Sequence, residues 1–190
     1  FIAYTDGTSY YAENQVIVPE INLNLTSVSI GDVKMRQGAA MKLNIATGIR
    51  FYTQLDTDRL IDLKNSGAVI TMGTLIAPAD KFASYEGLTF QADANNFLDV
   101  VTTGYFDEEK GTIAGSIVNI NEKNIGRNFI ARSYVKLTKD GKTYVSYADN
   151  NDNTRSIKFL AKAVIDNDAL PENTAQVELI KKWAAAADWT

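Results

Sequence analysis

The sequence predicts an α+β fold, mainly antiparallel β with a sandwich-like core, one short internal helix and two C-terminal helices. Three observations carry this. Apolar and polar residues alternate with a period of two through many short runs as far as Ala148, the period of a strand with one buried face. Beyond Ala148 the apolar spacing becomes that of a helix. Strands first and helices last place the helices at one side of an antiparallel sheet, not between parallel strands.

Turn-rich aromatic text opens the chain with Tyr4, Asp6, Gly7, Tyr10 and Tyr11. Ile21, Leu23 and Leu25 then alternate with Asn22, Asn24 and Thr26, which predicts a half-buried strand. Met41, Leu43 and Ile45 alternate with Lys42 and Asn44, and Ile49, Phe51, Thr53 and Leu55 with Arg50, Tyr52 and Gln54. With Thr47-Gly48 between them, the two runs read as a hairpin or one bent strand. Asp56 or Thr57 caps a short helix through Leu60, Ile61 and Leu63, and Gly67 suits its left-handed C-terminal cap. Ala68 to Ile76 is apolar on both phases and reads as a central strand covered on both faces. The irregular stretch 79–111 holds strand-like pieces at Leu88 to Phe90 and Leu98 to Tyr105 and closes on the acidic turn Asp107-Glu108-Glu109-Lys110-Gly111. Ile113 to Ile120, Phe129 to Leu137 and Thr143 to Ala148 complete the strands, the last two joined by Asp140-Gly141, a strong hairpin signal. Asn153 or Thr154 caps a helix bearing Ile157, Leu160, Ala161 and Val164, and a last helix after Pro171 shows Val177, Ile180, Trp183 and Ala187. We read one domain over 1–190: an N-terminal strand region at 1–37, a core at 38–165 and a C-terminal helix at 170–189.

Composition removes whole classes of chemistry. The 190 residues contain no His and no Cys. That excludes imidazole general bases, thiol nucleophiles, Ser-His-Asp catalysis, and metal sites built on imidazole or thiolate. The 19 basic and 23 acidic side chains leave a net charge of −4 with the basic residues scattered. Affinity for a phosphate backbone needs a basic footprint, so nucleic acid is not an expected partner. No apolar run approaches the ~20 residues that cross a bilayer, so a soluble domain with no membrane partner is expected, and we read the chain as a monomer. The absence of cysteine fits a cytosol and a disulfide-free secreted protein equally well. A chain starting at Phe1 reads as a processed or excised module whose targeting signal lies outside it.

Several stretches resemble a module of secreted multimodular surface proteins, cellulosome-associated ones among them, of gut and rumen Firmicutes, often beside dockerin, Ig-like or leucine-rich-repeat domains. They are Gly38-Ala-Ala-Met-Lys-Leu, Thr47-Gly-Ile-Arg-Phe, Met72-Gly-Thr-Leu-Ile-Ala-Pro, Ala114-Gly-Ser-Ile-Val-Asn-Ile, Ala131-Arg-Ser-Tyr-Val-Lys-Leu-Thr-Lys-Asp-Gly and Asn151-Asp-Asn-Thr-Arg-Ser-Ile-Lys. The resemblance spans about 38–165 and implies an extracellular, non-catalytic setting in a fibre-degrading or adhesive protein. It implies no ligand and no site residues.

Ligand contacts are sought among aromatics and arginines. A pyranose packs its C–H face on an aromatic ring, and Tyr10, Tyr11, Tyr85, Tyr105 and Phe106 lie in turn-rich text where such rings can be presented. Phe51, Phe129, Tyr147 and Trp183 share the apolar phase of their elements and are assigned to the core. Arg50 and Arg132 fall on the polar phase of strands, and with Arg127 and Arg155 they can grip a carboxylate, of a uronic acid or a peptide, with paired bonds. The competing reading has these arginines tying strands and loops together. Asp149-Asn-Asn-Asp-Asn resembles a calcium loop, but Thr154 stands where Gly is required and Leu160 where the bidentate Glu belongs, so no cofactor is expected and a turn ending in a helix cap is the preferred explanation, with calcium in another geometry as the alternative. A glycosidase needs only two carboxylates, and Asp99, Asp107, Glu108 and Glu109 are the available acids, in a turn that otherwise reads as a solvated loop. The Asn24-Leu25-Thr26 sequon sits on the predicted strand and carries no weight in a bacterial-looking module. The expected function is a non-catalytic extracellular module binding a polysaccharide or cell-surface glycan. The alternatives are a structural or protein-interaction module beside a dockerin or Ig-like domain, and a carboxylate-only glycoside hydrolase or lyase.

Overall fold

The computed structural model describes residues 1–18, 23–149 and 152–189. The chain opens with a small antiparallel sheet of β1 (Ala3–Thr5), β2 (Tyr10–Tyr11) and β3 (Thr26–Val28), in the order β2-β1-β3. Between β1 and β2 the Asp6 carboxylate accepts the N–H groups of Thr8 (2.8 Å) and Ser9 (2.7 Å) and the Tyr11 hydroxyl (2.7 Å). Those bonds, Ser9's first, lower its pKa to about 2. The carboxyl is thus easier to ionise folded than unfolded. Its contribution is whole above the ordinary carboxylate range, near 4, and is lost as pH falls toward 2. Asp6→Ala is expected to lower amide protection of Thr8 and Ser9 several-fold at neutral pH; unchanged hydrogen exchange would contradict this.

The strand expected from Ile21 to Leu25 is displaced. Ile21 and Asn22 lie outside the described residues, Leu25 is exposed, and the strand starts at Thr26, where Val28 pairs with Ala3 and turns into the core.

β4 (Val33–Met35) and β5 (Ala40–Lys42) lie along one edge of β6 (Gly48–Leu55), the second forming the predicted hairpin with Met41 opposite Ile49. Ile45, expected to follow the strand's apolar phase, instead sits exposed in the turn at φ +63°, because the chain reverses before it. α1 (Thr57–Asn65) is capped as expected: the Asp56 carboxylate accepts the Arg59 N–H at 3.1 Å, and Gly67 takes φ +88° so that Ala68 can donate to the Leu63 carbonyl. β7 (Val69–Pro78) is the central strand that its two-phase hydrophobicity predicts. It is bordered by β8 (Leu98–Thr102) on one side and β10 (Phe129–Lys139) on the other, with β9 (Thr112–Val118) between them in sequence. No strand forms at Leu88 to Phe90; that stretch lies between the 3-10 turns Tyr85–Gly87 and Ala94–Asn96, with Leu88 buried in the core.

β10 and β11 (Lys142–Tyr147) meet in a two-residue turn with Asp140 and Gly141 both at positive φ. α2 (Ile157–Asp166) is capped by Ser156, not by Asn153 or Thr154. Arg155 exchanges backbone hydrogen bonds with Phe129, which keeps the chain extended one residue too long for an earlier start. Asn153 is instead buried and donates to the Ala131 carbonyl at 2.7 Å. α3 (Thr174–Ala184), capped by Asn173, buries Ile180 and Trp183.

Two sheets face one another: β11-β10-β7-β8, and β6 with β9 on one edge and β4 and β5 on the other. Phe51 and Ile49 on one sheet meet Ile76, Phe129 and Ala131 on the other, and α2 and α3 close this cluster with Leu160, Ile180 and Trp183. Where the sheets come closest, the Ser133 hydroxyl bridges those of Thr53 (2.6 Å) and Thr74 (2.9 Å). Gly115 of β9 lies against Thr74 with no room for a side chain. The opposite face of the β7/β10 sheet is covered by segment 79–97, which brings Phe82, Leu88, Phe90 and Phe97 onto Leu75, Ile130 and Tyr134. Among the described residues no helix is long and apolar enough to cross a membrane.

Candidate functional site

Strand alternation builds the site. In β6, Ile49, Phe51, Thr53 and Leu55 turn inward, so Arg50, Tyr52 and Gln54 stand on the outer face. Opposite Arg50 and Tyr52 on β9 are the small residues Ser116 and Ala114. This leaves shallow ground for the loop between β8 and β9, which folds back and is pinned when the Phe106 N–H donates to the Thr112 carbonyl at 2.7 Å. Phe106 therefore lies over the sheet with its ring 55% exposed.

The Phe106 ring stands edge-on to Tyr52 at 5.0 Å between centroids. Each ring carries a guanidinium: Arg50 at 5.1 Å from the Phe106 centroid and Arg36 at 5.5 Å from that of Tyr52. Arg50 is held by one bond, Nε to the Ser116 hydroxyl at 3.2 Å. The Arg36 guanidinium donates to the Thr112 hydroxyl at 3.5 Å, and its charge joins Lys110 in lowering the pKa of Asp107. Two shallow hollows flank Arg50. One, about 210 Å³, is lined by Thr102, Tyr105, Phe106 and Ser116, and the other, about 240 Å³, by Lys42, Asn44 and Gln176. At the first, the Thr102 hydroxyl is buried without a hydrogen-bond partner among the described residues. Tyr105 is half-buried, and burial raises the pKa of its phenol, so it stays protonated and able to donate.

The seven ligand candidates thus divide. Arg50, Tyr105 and Phe106 converge on one surface. Tyr10 turns into the core against Tyr144 and is 6% exposed, while its neighbour Tyr11 points to the other face of the N-terminal sheet and bonds Asp6. Tyr85 is 9% exposed, and burial raises its pKa to about 12. Arg132 lies between the rings of Tyr85 (5.1 Å) and Tyr147 (4.8 Å) and donates to the carbonyls of Ala148 and Glu86. This pair clasps segment 79–97 onto the sheet, the tying role that was the competing reading for arginine. Arg127 and Arg155 are likewise engaged, by Asp80 and Asp152. Tyr52, Arg36, Ser116 and Thr102 were not candidates. Tyr52 had a legible signal, an aromatic on the polar phase two residues from Arg50; the others join only through pairing across strands and loops.

The acids do not gather. Asp99 accepts the Tyr134 hydroxyl at 2.7 Å. Asp107 pairs with Lys110, which holds its carboxyl below the ordinary carboxylate range, the opposite of what a general acid needs. Of the calcium-like run, Asn150 and Asn151 lie outside the described residues, and Asp152 is engaged by Arg155. Among the described residues no three acidic side chains are grouped to hold a metal ion. Comparison of the chain with known protein families, curated proteins and solved structures finds no match.

Proposed function

We propose that this chain is a non-catalytic module of an extracellular multimodular protein, and that it binds a polysaccharide or cell-surface glycan on the outer face of β6 and β9. The observation that carries the reading is the ring pair of exposed Phe106 and half-buried Tyr52, with an arginine on each ring and hydroxyls at its margin. A sugar ring lays its C–H face on an aromatic while its hydroxyls need several polar partners around the rim, and this surface supplies both. Its shallowness suits an interior stretch of a chain, which must enter and leave sideways. The resemblance to surface-protein modules agrees with an extracellular setting.

Affinity electrophoresis and calorimetry against a panel of plant and microbial polysaccharides test this. Retardation is expected on at least one, and Phe106→Ala should weaken it roughly tenfold or more, about 1.4 kcal/mol, with the thermal midpoint unchanged because the ring is half out of the protein. A flat response across the panel would sink the reading.

A second reading rests on a separate observation. A groove of about 470 Å³ between β5, α2 and α3 is lined by Met41, Leu43, Leu160, Val164 and Ile180, an apolar surface that suits an interaction module docked on a neighbouring domain. Val164→Asp, in this groove and away from both hollows beside Arg50, should abolish capture of that neighbour and leave polysaccharide retardation intact; capture that survives it would remove this reading.

A further inference from the structure

Resting on the glycan reading of this face, we infer that its ligand is a carboxylate-bearing polysaccharide, a chain of uronic acid residues, gripped by the end-on fork of Arg50. The six arginines of the chain separate cleanly by partner. Arg127 makes a two-bond pair with Asp80, and Arg155 reaches Asp152. Arg59 and Arg132 are bound to backbone carbonyls. Among the described residues the side chains of Arg36 and Arg50 have just a hydroxyl partner and no direct ion pair, although the Arg36 charge helps to lower the pKa of Asp107, which is itself paired with Lys110. Both stand on the same face, each against a ring of the same pair. A protein with net charge −4 has acids to spare, yet among the described residues none pairs with Arg50.

The geometry at Arg50 is specific. Its Nε is taken by Ser116, which fixes the plane of the group and leaves both terminal Nη atoms without a hydrogen-bond partner among the described residues. Those two nitrogens form the fork that matches the two oxygens of a carboxylate. Arg50 also borders both hollows, so a sugar in either one lies beside it. In the second hollow Lys42 donates to the carbonyls of Asn44 (2.5 Å) and Ala46 (2.8 Å) and keeps a third N–H for a ligand. A chain lying across both hollows would set one sugar against Phe106 and present the next carboxylate to Arg50 or Lys42. A neutral chain would leave the fork unpaired while covering it, which costs affinity.

The test compares polygalacturonate, its fully methyl-esterified form, a neutral glucan and dextran sulfate by affinity electrophoresis and calorimetry. The intact protein should bind polygalacturonate at least tenfold more tightly than the ester, which keeps the backbone and lacks the charge. Arg50→Lys, which keeps a charge and loses the fork, should lose most of that difference, with circular dichroism unchanged. Equal binding of ester and acid, or preference for the neutral glucan, overturns this inference and leaves the glycan reading standing. Failure to bind any of these and the wider panel overturns both. Dextran sulfate bound as tightly as polygalacturonate, with Arg50→Lys indifferent, would show attraction of polyanions in general and also overturn the fork.

Discussion

Gly115→Val should be among the most destabilising single substitutions in this chain. A Cβ at Gly115 would lie 2.5 Å from the Thr74 Cβ and 2.7 Å from its Oγ1, both inside van der Waals contact, and a tight 3.0 Å from its Cγ2. Neither partner can step aside: Thr74 lies on β7 between β8 and β10, and Gly115 is paired with Phe51. The sheets must separate where Thr53, Ser133 and Thr74 share hydrogen bonds in the dry interior. Even alanine is expected to cost about 1–3 kcal/mol as overpacking. Valine adds two methyl groups and disrupts the hydroxyl chain, whose buried members each cost about 1–3 kcal/mol once unpartnered. Denaturant unfolding checks this, with Ser116→Ala on the outer face as a control expected to shift stability by less than about 0.5 kcal/mol. A Gly115→Val midpoint equal to that of the natural chain would mean the sheets are not in contact here.

The second large effect is expected at Tyr134. Its side chain is fully buried on the far face of the β7/β10 sheet, lies against Gly73, meets the Phe90 ring edge-on at 4.8 Å and donates to Asp99 at 2.7 Å. Tyr134→Ala should cost about 3–5 kcal/mol by emptying that space and loosening segment 79–97. Tyr134→Phe keeps the ring and should cost only about 1 kcal/mol, because the Asp99 carboxylate left behind is exposed and returns to water. The same group predicts the alkaline limb of stability. Burial, and next the Asp99 carboxylate, raise the Tyr134 pKa above the ordinary phenol value, and burial raises that of Tyr85 to about 12. A folded pKa above the unfolded one near 10 gives a contribution that is complete below pH ~10 and is lost as pH climbs toward the folded values. Stability should therefore fall above pH ~10, less steeply in Tyr134→Phe, and phenolate absorbance should lag behind that of free tyrosine until unfolding. Ordinary titration of every tyrosine in the folded protein would contradict the buried placement.

Legibility followed the range of the forces involved. The outward placing of Arg50 and Tyr52, the helix start at Asp56 and the Asp140-Gly141 hairpin were all readable, since each depends on neighbours a few residues away. The candidate site was readable in part. Phe106 and Arg50 stood out by residue type, whereas Tyr10 and Tyr85, equally aromatic and equally set in turn-rich text, proved to be buried. Nothing local separates Tyr10 from Tyr11: one residue of register sends the first to Tyr144 and the second to the outside. Ser156 displaced the nearer cap candidates because of a bridge to Phe129, 26 positions upstream of Arg155.

By itself the amino-acid order determined what chemistry is open to this protein and which faces of its strands and helices are apolar, because side-chain identity and the periods of two and 3.6 are properties of the local chain. Tertiary structure alone decided which arginines are spent and which are left over. Arg36, Arg50, Arg127 and Arg132 carry the same guanidinium, and only the folding of distant segments onto them supplies Asp80 to one, backbone carbonyls to another, and to the remaining two the rings of Tyr52 and Phe106.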